Sequence, residues 1–93
     1  MTVRSARRAS PSARLLLFAT ARTAVGAARL DWAVRPGGSP AAEILEQLGA
    51  RYPAVRRVLR ASRLYLNGEL LLDAGEAVRP GDELAIHPPY GGG

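Results

Sequence analysis

A chain of 93 residues and 9.9 kDa holds one small domain, which excludes a multidomain enzyme with its own cofactor-binding fold. The absence of cysteine excludes a disulfide framework, a thiolate metal site and a cysteine nucleophile. A single histidine, His87, cannot by itself form a metal site or a catalytic triad. The net charge of +5 invites a nucleic-acid-binding interpretation, but residues 1–30 carry six arginines and no acid, so the excess charge belongs to the N-terminal third.

Residues 1–13 are rich in arginine, serine and alanine and are predicted to form a disordered basic tail, since they contain too few large apolar side chains to offset the entropy of ordering. A mitochondrial transit peptide has the same composition. The alternative is a ragged start in an arginine-rich proteome, which is favoured because all 13 basic residues are arginine. We therefore expect a cytoplasmic protein, and no run approaches the roughly 18 apolar residues of a membrane span.

The first elements are predicted to be a hairpin with a short helical turn in its connection. The apolar run Arg14–Thr20 predicts a buried strand, and Ala21–Val25, followed by a glycine, predicts one helical turn. Apolar residues alternate with polar ones over Arg29–Val34, which predicts a half-buried strand that pairs with the first. The aromatic residues Phe18 and Trp32 are expected in the core.

An amphipathic helix is predicted next. Ser39 followed by Pro40 is typical of an N-cap and a first helical position, and the apolar stripe that follows consists of Ile44, Leu45, Leu48 and Tyr52. Gly49 or Pro53 is expected to interrupt the helix. A further turn or two carries an acid-free set of five arginines, predicted to be a solvated face rather than an RNA-binding one: Arg51, Arg56, Arg57, Arg60 and Arg63.

The last third of the chain predicts a second hairpin and a final strand. The dipeptide Asn67-Gly68 between two apolar runs supplies the positive φ angles of a type I′ turn. After another turn, Glu83–His87 predicts the last strand, with Leu84 and Ile86 directed inward. The order β-β-α-β-β-β indicates an α+β domain in which one main helix crosses a mixed sheet.

The chain ends in a segment with chemistry of its own, Pro88-Pro89-Tyr90-Gly91-Gly92-Gly93. Two prolines favour a semi-rigid, extended exit from the sheet, and six extended residues reach roughly 20 Å. Three glycines without side chains can enter a narrow channel, and their terminal carboxylate is ionised at neutral pH and can attack an activated phosphate. The reactive group is therefore predicted to be the carboxylate of Gly93, although a frayed terminus or an expression scar would show the same glycines.

Residues 14–93 resemble the MoaD/ThiS sulfur-carrier family, which is ubiquitin-like and contains the small subunit of molybdopterin synthase. The resemblance rests on residues 17–22 with Gly26, on Tyr52-Pro53, on residues 66–68 and, most specifically, on residues 81–93. It implies a ubiquitin-like β-grasp over residues 14–87, with a four- to five-stranded mixed sheet, and a flexible tail over residues 88–93. Thr23, where the family usually has glutamate, and Tyr90-Gly91 depart from the family pattern.

The resemblance also implies a mechanism without a catalytic pocket, a metal or a bound cofactor in this chain. An E1-like adenylyltransferase would adenylate Gly93, and a sulfurtransferase would convert the glycyl adenylate into a 1-thioglycine thiocarboxylate. The tail, Pro88, Pro89, Tyr90, Gly91 and Gly92, would enter a channel in the large subunit of molybdopterin synthase. Sulfur would pass there to cyclic pyranopterin monophosphate.

Several alternatives remain open at this point. The carrier could serve thiamin thiazole, cysteine or a specialised metabolite, or the chain could be a ubiquitin-like protein modifier. A basic nucleic-acid binder is the third class, but the sequence contains no recognised nucleic-acid-binding motif, so nucleic acid is not an expected partner. Without an apolar run long enough to span it, a membrane is not an expected partner either. His87 is expected to be a solvated or core-edge residue, and Tyr65 is expected on the exposed sheet face that the family uses for docking.

Overall fold

The computed structural model describes residues 11–89, in which seven strands, three α-helices and one 3₁₀ helix follow one another along the chain. In chain order, the elements are β1 Ser12–Leu17, α1 Ala19–Val25, β2 Arg29–Ala33, β3 Ser39–Pro40, α2 Ala41–Arg51, the 3₁₀ helix Pro53–Val55, α3 Arg56–Ala61, β4 Arg63–Leu66, β5 Glu69–Leu70, β6 Ala77–Val78 and β7 Glu83–His87.

Five of these strands form one mixed sheet in the order β2-β1-β7-β4-β5, and β3 pairs with β6 in a separate two-stranded sheet. The last strand, β7, lies at the centre, parallel to β1 on one side and antiparallel to β4 on the other. The first hairpin is confirmed, because β1 and β2 are antiparallel with Leu15 opposite Leu30. The predicted α+β architecture with a mixed sheet is therefore present.

The core lies between one face of this sheet and the helices. Alternation along β1 buries Ala13, Leu15 and Leu17, and helix α2 places Ile44 and Leu48 against them. The largest side chains that are almost completely buried are Leu15, Leu17, Ile44, Leu48, Val55, Val78, Leu84 and Ile86. Each such side chain contributes about 1.5–3 kcal/mol when removed from water, so this small set accounts for much of the driving force for folding.

Two predicted turns are confirmed by their backbone angles. Gly26 ends α1 in the left-handed region at φ 87°, and its N–H donates to the carbonyl of Arg22 at 2.8 Å. Asn67 and Gly68 have φ angles of 51° and 88°, as a type I′ turn requires. This turn joins β4 directly to β5 and fixes their register, with Leu66 opposite Glu69.

The start of α2 differs from the prediction that Ser39 caps it. Ser39 is buried in β3, and its hydroxyl accepts the N–H of Arg35 at 3.0 Å. The helix begins at Ala41 with no side-chain cap; instead, the N–H groups of Ala41 and Ala42 donate to backbone carbonyls of Glu76 and Ala74. The loop before β6 thus satisfies the free amides that a cap would otherwise take.

The strand boundaries also differ. β1 begins two residues earlier than predicted, since Ser12 and Ala13 pair with Ala33 and Trp32, and it ends at Leu17 because helix α1 already begins at Ala19. The predicted strand over residues 69–72 is reduced to Glu69–Leu70. The rest of the predicted basic tail, residues 1–10, lies outside the described residues. Within residues 11–89, no helix has the length and apolar character needed to cross a membrane.

Candidate functional site at the end of the central strand

The predicted reactive tail leaves the sheet from its central strand. At the end of β7, Ile86 lies opposite Leu17 of β1, and His87 lies opposite Arg63 of β4. The N–H of Phe18 donates to the carbonyl of Ile86 at 3.3 Å, beyond the end of β1. Backbone pairing therefore holds β7 on both sides up to its last residues.

Pro88 and Pro89 then release the chain from the sheet. A proline has no N–H and cannot continue a ladder, and its fixed φ favours an extended path. Pro88 is half-buried and Pro89 is exposed, so the chain moves outward over these two residues. The remaining predicted site residues, Tyr90, Gly91, Gly92 and Gly93, lie outside the described residues.

An aromatic cluster surrounds the point of exit. The rings of Phe18 and His87 are stacked, with centroids 4.2 Å apart and planes 19° from parallel. Tyr65 contacts the same imidazole edge-on, at 5.0 Å and 76°. Such pairs contribute about 0.5–1.5 kcal/mol beyond the area they bury, so the side chain directly before the prolines is held between two rings. His87 was expected to be either solvated or at the edge of the core, and it is half-buried, which agrees with the second of these positions.

The cluster is part of a larger apolar area on the sheet face away from the helices, the sheet-face patch, formed by Leu16, Phe18, Tyr65, Leu70 and His87 around Ala85. Register places Leu16 and Tyr65 opposite Ala85, and Leu70 opposite Tyr65, so these side chains share one face. Phe18 is 40% exposed and Leu70 49% exposed, unusually high for large apolar side chains gathered in one area. The expectation that Tyr65 lies on the open sheet face is confirmed.

Phe18 was expected in the core, and that prediction is wrong. Leu15 and Leu17 point inward, so the alternation of β1 continues with Leu16 and Phe18 on the opposite face. The prediction from sequence buries the whole apolar run on both faces of the strand, and it therefore does not place Phe18 on the outer face. Trp32, by contrast, is buried as predicted, and its indole N–H donates to Oε1 of Gln47 at 2.8 Å.

A shallow depression of about 350 Å³ lies beside the exit, lined by Ala61, Arg63, Tyr65, His87, Pro88 and Pro89. Its polar groups are the guanidinium of Arg63, the imidazole of His87 and the hydroxyl of Tyr65. Within residues 11–89, no three histidine or carboxylate side chains come together as a metal site would require.

The opposite end of β7 is fixed by side-chain hydrogen bonds. The carboxylate of Asp82 accepts the amide of Asn67 at 3.1 Å and the N–H of Arg79 at 2.8 Å. Oδ1 of Asn67 accepts the N–H of Glu83 at 2.9 Å. Asp82 and Asn67 therefore join the two turns that precede and follow the neighbouring strands. The register of β7, and hence the position of its final residue, is fixed at both ends.

The arginines predicted to form a solvated face are exposed, as expected. Arg51 lies over the rings of Trp32 and Tyr52, at 5.6 Å and 5.7 Å from their centroids. The Nε of Arg56 donates to the carbonyl of Gly49 at 3.2 Å. Arg51, Arg56, Arg57 and Arg60 lie on the helices, whereas Arg63 lies on β4 beside the exit of the tail, so the five arginines do not form one face.

Known proteins match this chain in both sequence and shape. The ThiS family matches residues 15–93. The molybdopterin synthase sulfur carrier subunit of Arabidopsis thaliana is 38% identical over 80 residues, which cover 86% of this chain and 81% of the plant protein.

Two solved structures are similar over most of their length. SAMP1 from Haloferax volcanii, a small archaeal modifier protein, is 30% identical, with a TM-score of 0.74 over 88% of this chain and 99% of its own. A putative molybdopterin converting factor subunit 1 from Pyrococcus furiosus has the same TM-score at 18% identity, over 87% of this chain and 100% of its own. The predicted ubiquitin-like β-grasp is confirmed.

Proposed function

Because the chain belongs to the ThiS family, we propose that it is a sulfur carrier whose reactive group is the C-terminal carboxylate of Gly93. The observation that carries this proposal is the position of β7: the central strand of the sheet runs directly into Pro88-Pro89, and only one tyrosine and three glycines follow. Glycine has no side chain, so residues 91–93 suit delivery of the carboxylate of Gly93 into another protein's active site.

The chemistry proceeds in two steps. A carboxylate oxygen of Gly93 attacks the α-phosphorus of ATP on an E1-like adenylyltransferase, which forms the glycyl adenylate and releases pyrophosphate. Sulfur at the sulfide level, supplied by a sulfurtransferase, then attacks the acyl carbon and displaces AMP. The product is the 1-thioglycine thiocarboxylate, and its sulfur replaces one oxygen of the original carboxylate.

We propose that the acceptor is the pterin precursor of molybdopterin, with this chain acting as the small subunit of molybdopterin synthase. The identity of 38% to the plant molybdopterin synthase sulfur carrier subunit, over most of both chains, supports this acceptor over that of another sulfur pathway. The large subunit would cover the sheet-face patch, where Phe18 and Leu70 are exposed beside the exit of the tail. A cytoplasmic location stays a prediction.

Mass spectrometry tests the proposal directly. The full chain, incubated with an E1-like enzyme, ATP and a sulfur source, should gain the mass of an oxygen-to-sulfur exchange, located on Gly93 by fragmentation. Adding one alanine after Gly93 should abolish the gain, because the reactive carboxylate moves one residue beyond its position. The same alanine added before Met1 serves as the control and should leave the gain unchanged. No exchange in the unmodified chain, or equal exchange in the C-terminally extended one, would contradict the proposal.

A second function is favoured by the similarity to SAMP1. A protein modifier would use the same adenylated Gly93, with a lysine amine of a target protein, rather than sulfur, displacing AMP. The expected product is an isopeptide between Gly93 and a target lysine, detectable by digestion and mass spectrometry of cell extracts. This chain contains no lysine, so chains linked through its own lysines are excluded.

A further inference from the structure

A second surface, on the helical side, is separate from the tail and the sheet-face patch. An open groove of about 720 Å³ runs between α2 and α3. Along α2 it follows Ala42, Leu45 and Gly49, spaced as one stripe of a helix, and the floor is completed by Leu59 from α3. Ile44 and Leu48 of the same helix are fully buried in the core, whereas Ala42 is exposed and Leu45 only partly buried. Gly49 and Leu59 are buried and form the bottom of the groove.

The rim of the groove is basic. Arg56 and Arg60 are four residues apart on α3, so both side chains lie on the same side of that helix. One N–H of the Arg56 guanidinium is fixed on the carbonyl of Gly49, which holds this side chain over the groove. Among residues 11–89, neither arginine takes part in an ion pair, whereas Arg14 and Arg35 each pair with a glutamate.

We propose that this groove docks an acidic amphipathic helix of a partner protein. Apolar side chains of the partner helix would contact Leu45 and Leu59, and two carboxylates one helical turn apart would pair with Arg56 and Arg60. A guanidinium binds a carboxylate through two parallel hydrogen bonds, which favours this match in geometry as well as in charge. The groove spans residues 42–50 of α2, about 12 Å along the axis, which corresponds to two to three turns of a docked helix.

A protein segment fits this groove better than a nucleic acid does. The floor is aliphatic, and its lining contains no aromatic side chain on which a base could stack. Glu46 lies on the opposite rim, where a continuous phosphate backbone would meet a negative charge and a helical segment could place a basic or neutral side chain. Apolar contact and discrete charge pairs are typical of helix-in-groove recognition.

The groove lies on the opposite side of the domain from the sheet-face patch. The helices pack on the inner face of the sheet, so the groove and the sheet-face patch point in opposite directions. A partner helix could therefore remain bound while the tail and the sheet-face patch engage a different protein. The docking itself depends on neither adenylation nor sulfur transfer, and its test is independent of the proposed function.

The probe is a synthetic peptide of about 12 residues, with leucines along one face and glutamates one turn apart beside them. Titration into the isotope-labelled full chain, followed by amide NMR, should move signals from residues 42–60 and leave those of β7 in place. The double variant Arg56→Gln/Arg60→Gln should weaken binding about tenfold. The matched control Arg22→Gln/Arg29→Gln removes the same charge elsewhere and should change affinity by less than about twofold.

Two further probes decide the chemistry. A peptide with the glutamates kept and the leucines replaced by serine should bind much more weakly, and equal binding would show charge attraction alone and overturn the proposal. A single-stranded oligouridylate should not compete for the groove, and tighter binding of the oligonucleotide would overturn it in favour of RNA. Absence of shifts in residues 42–60 with the acidic leucine peptide would also overturn it. Thermal melts of each variant separate lost binding from lost folding.

Discussion

The two faces of β7 carry side chains with different roles. Leu84 and Ile86 point inward and are fully buried, whereas Ala85 and His87 point to the open face, where they meet the sheet-face patch. Alternation along one five-residue strand therefore separates the residues that hold the fold from those beside the tail. It follows that substitutions one position apart should affect stability and partner binding separately.

The largest expected effect comes from the inner face. Replacing Ile86 with alanine should lower the free energy of unfolding by about 2–5 kcal/mol, because it leaves a cavity in the core at the central strand of the sheet. Against the roughly 5–15 kcal/mol that stabilise a typical domain, this loss is a large fraction. Chemical denaturation followed by tryptophan fluorescence measures it, since the single tryptophan, Trp32, is buried in the same core.

The neighbouring residue is the matched control. His87→Ala removes two ring contacts, each worth about 0.5–1.5 kcal/mol, and should cost about 1–3 kcal/mol, less than the change at Ile86. If both substitutions destabilised the protein equally, the division of β7 into a structural face and a functional face would be wrong.

The next effect belongs to the outer face. Phe18→Ser should weaken binding to the cognate adenylyltransferase or large subunit about tenfold or more, because an exposed ring beside the exit of the tail is lost. Isothermal titration calorimetry measures the affinity. Phe18→Tyr keeps the ring stacked on His87 and should retain nearly all of it.

Stability distinguishes this effect from misfolding. Phe18 is 40% exposed, so its replacement by serine should change the free energy of unfolding by less than the change at Ile86. An unchanged affinity in a folded Phe18→Ser protein would contradict a docking role for the sheet-face patch.

Much of this organisation could be predicted from local sequence signals. The inward positions of Leu84 and Ile86 follow from the period of two in the last strand, and the Asn67-Gly68 turn follows from the positive φ angles that its residues tolerate. The tail was predicted from its prolines and glycines together with the strand that precedes them, and only Pro88 and Pro89 of it lie among the described residues. The strand alternation and the turn each depend on a few adjacent residues, which is why the sequence was sufficient to predict them.

The predictions that were wrong concern features that depend on contacts between residues far apart in the chain. Phe18 lies outside because its neighbours in β1 take the inner positions and His87, far along the chain, offers a ring to stack on. Ser39 does not cap α2 because carbonyl groups in the loop before β6 accept the first N–H groups of the helix instead. The groove between α2 and α3 was not predicted either. Its apolar floor forms only where residues of the two helices pack together, which the sequence around the arginines does not indicate.

A third region, the rim between sheet and helix, belongs to neither face of β7. Arg35, in the loop after β2, donates two hydrogen bonds to the carboxylate of Glu43 at 2.8 Å and 2.6 Å. Gln47 donates to the same carboxylate at 3.4 Å and accepts the indole N–H of Trp32 at 2.8 Å. These bonds tie α2 to the edge of the sheet.

The smallest expected effect is a pH dependence at this rim. The hydrogen bond from Arg35 holds the pKa of the Glu43 carboxyl below its ordinary value. The pair therefore stabilises the fold fully when the pH is above the ordinary pKa of a glutamate, and this stabilisation is lost as the pH falls through the lowered pKa of Glu43. Glu43→Gln should therefore destabilise the protein at neutral pH and cease to do so in acid, in denaturation curves recorded from pH 7 down to about pH 3. Glu46→Gln, an exposed glutamate of the same helix with no ion pair among residues 11–89, should show no such convergence with the unmodified chain. A Glu43→Gln difference that stayed constant over the whole range would mean that packing at the rim, and not the charge, holds α2 to the sheet.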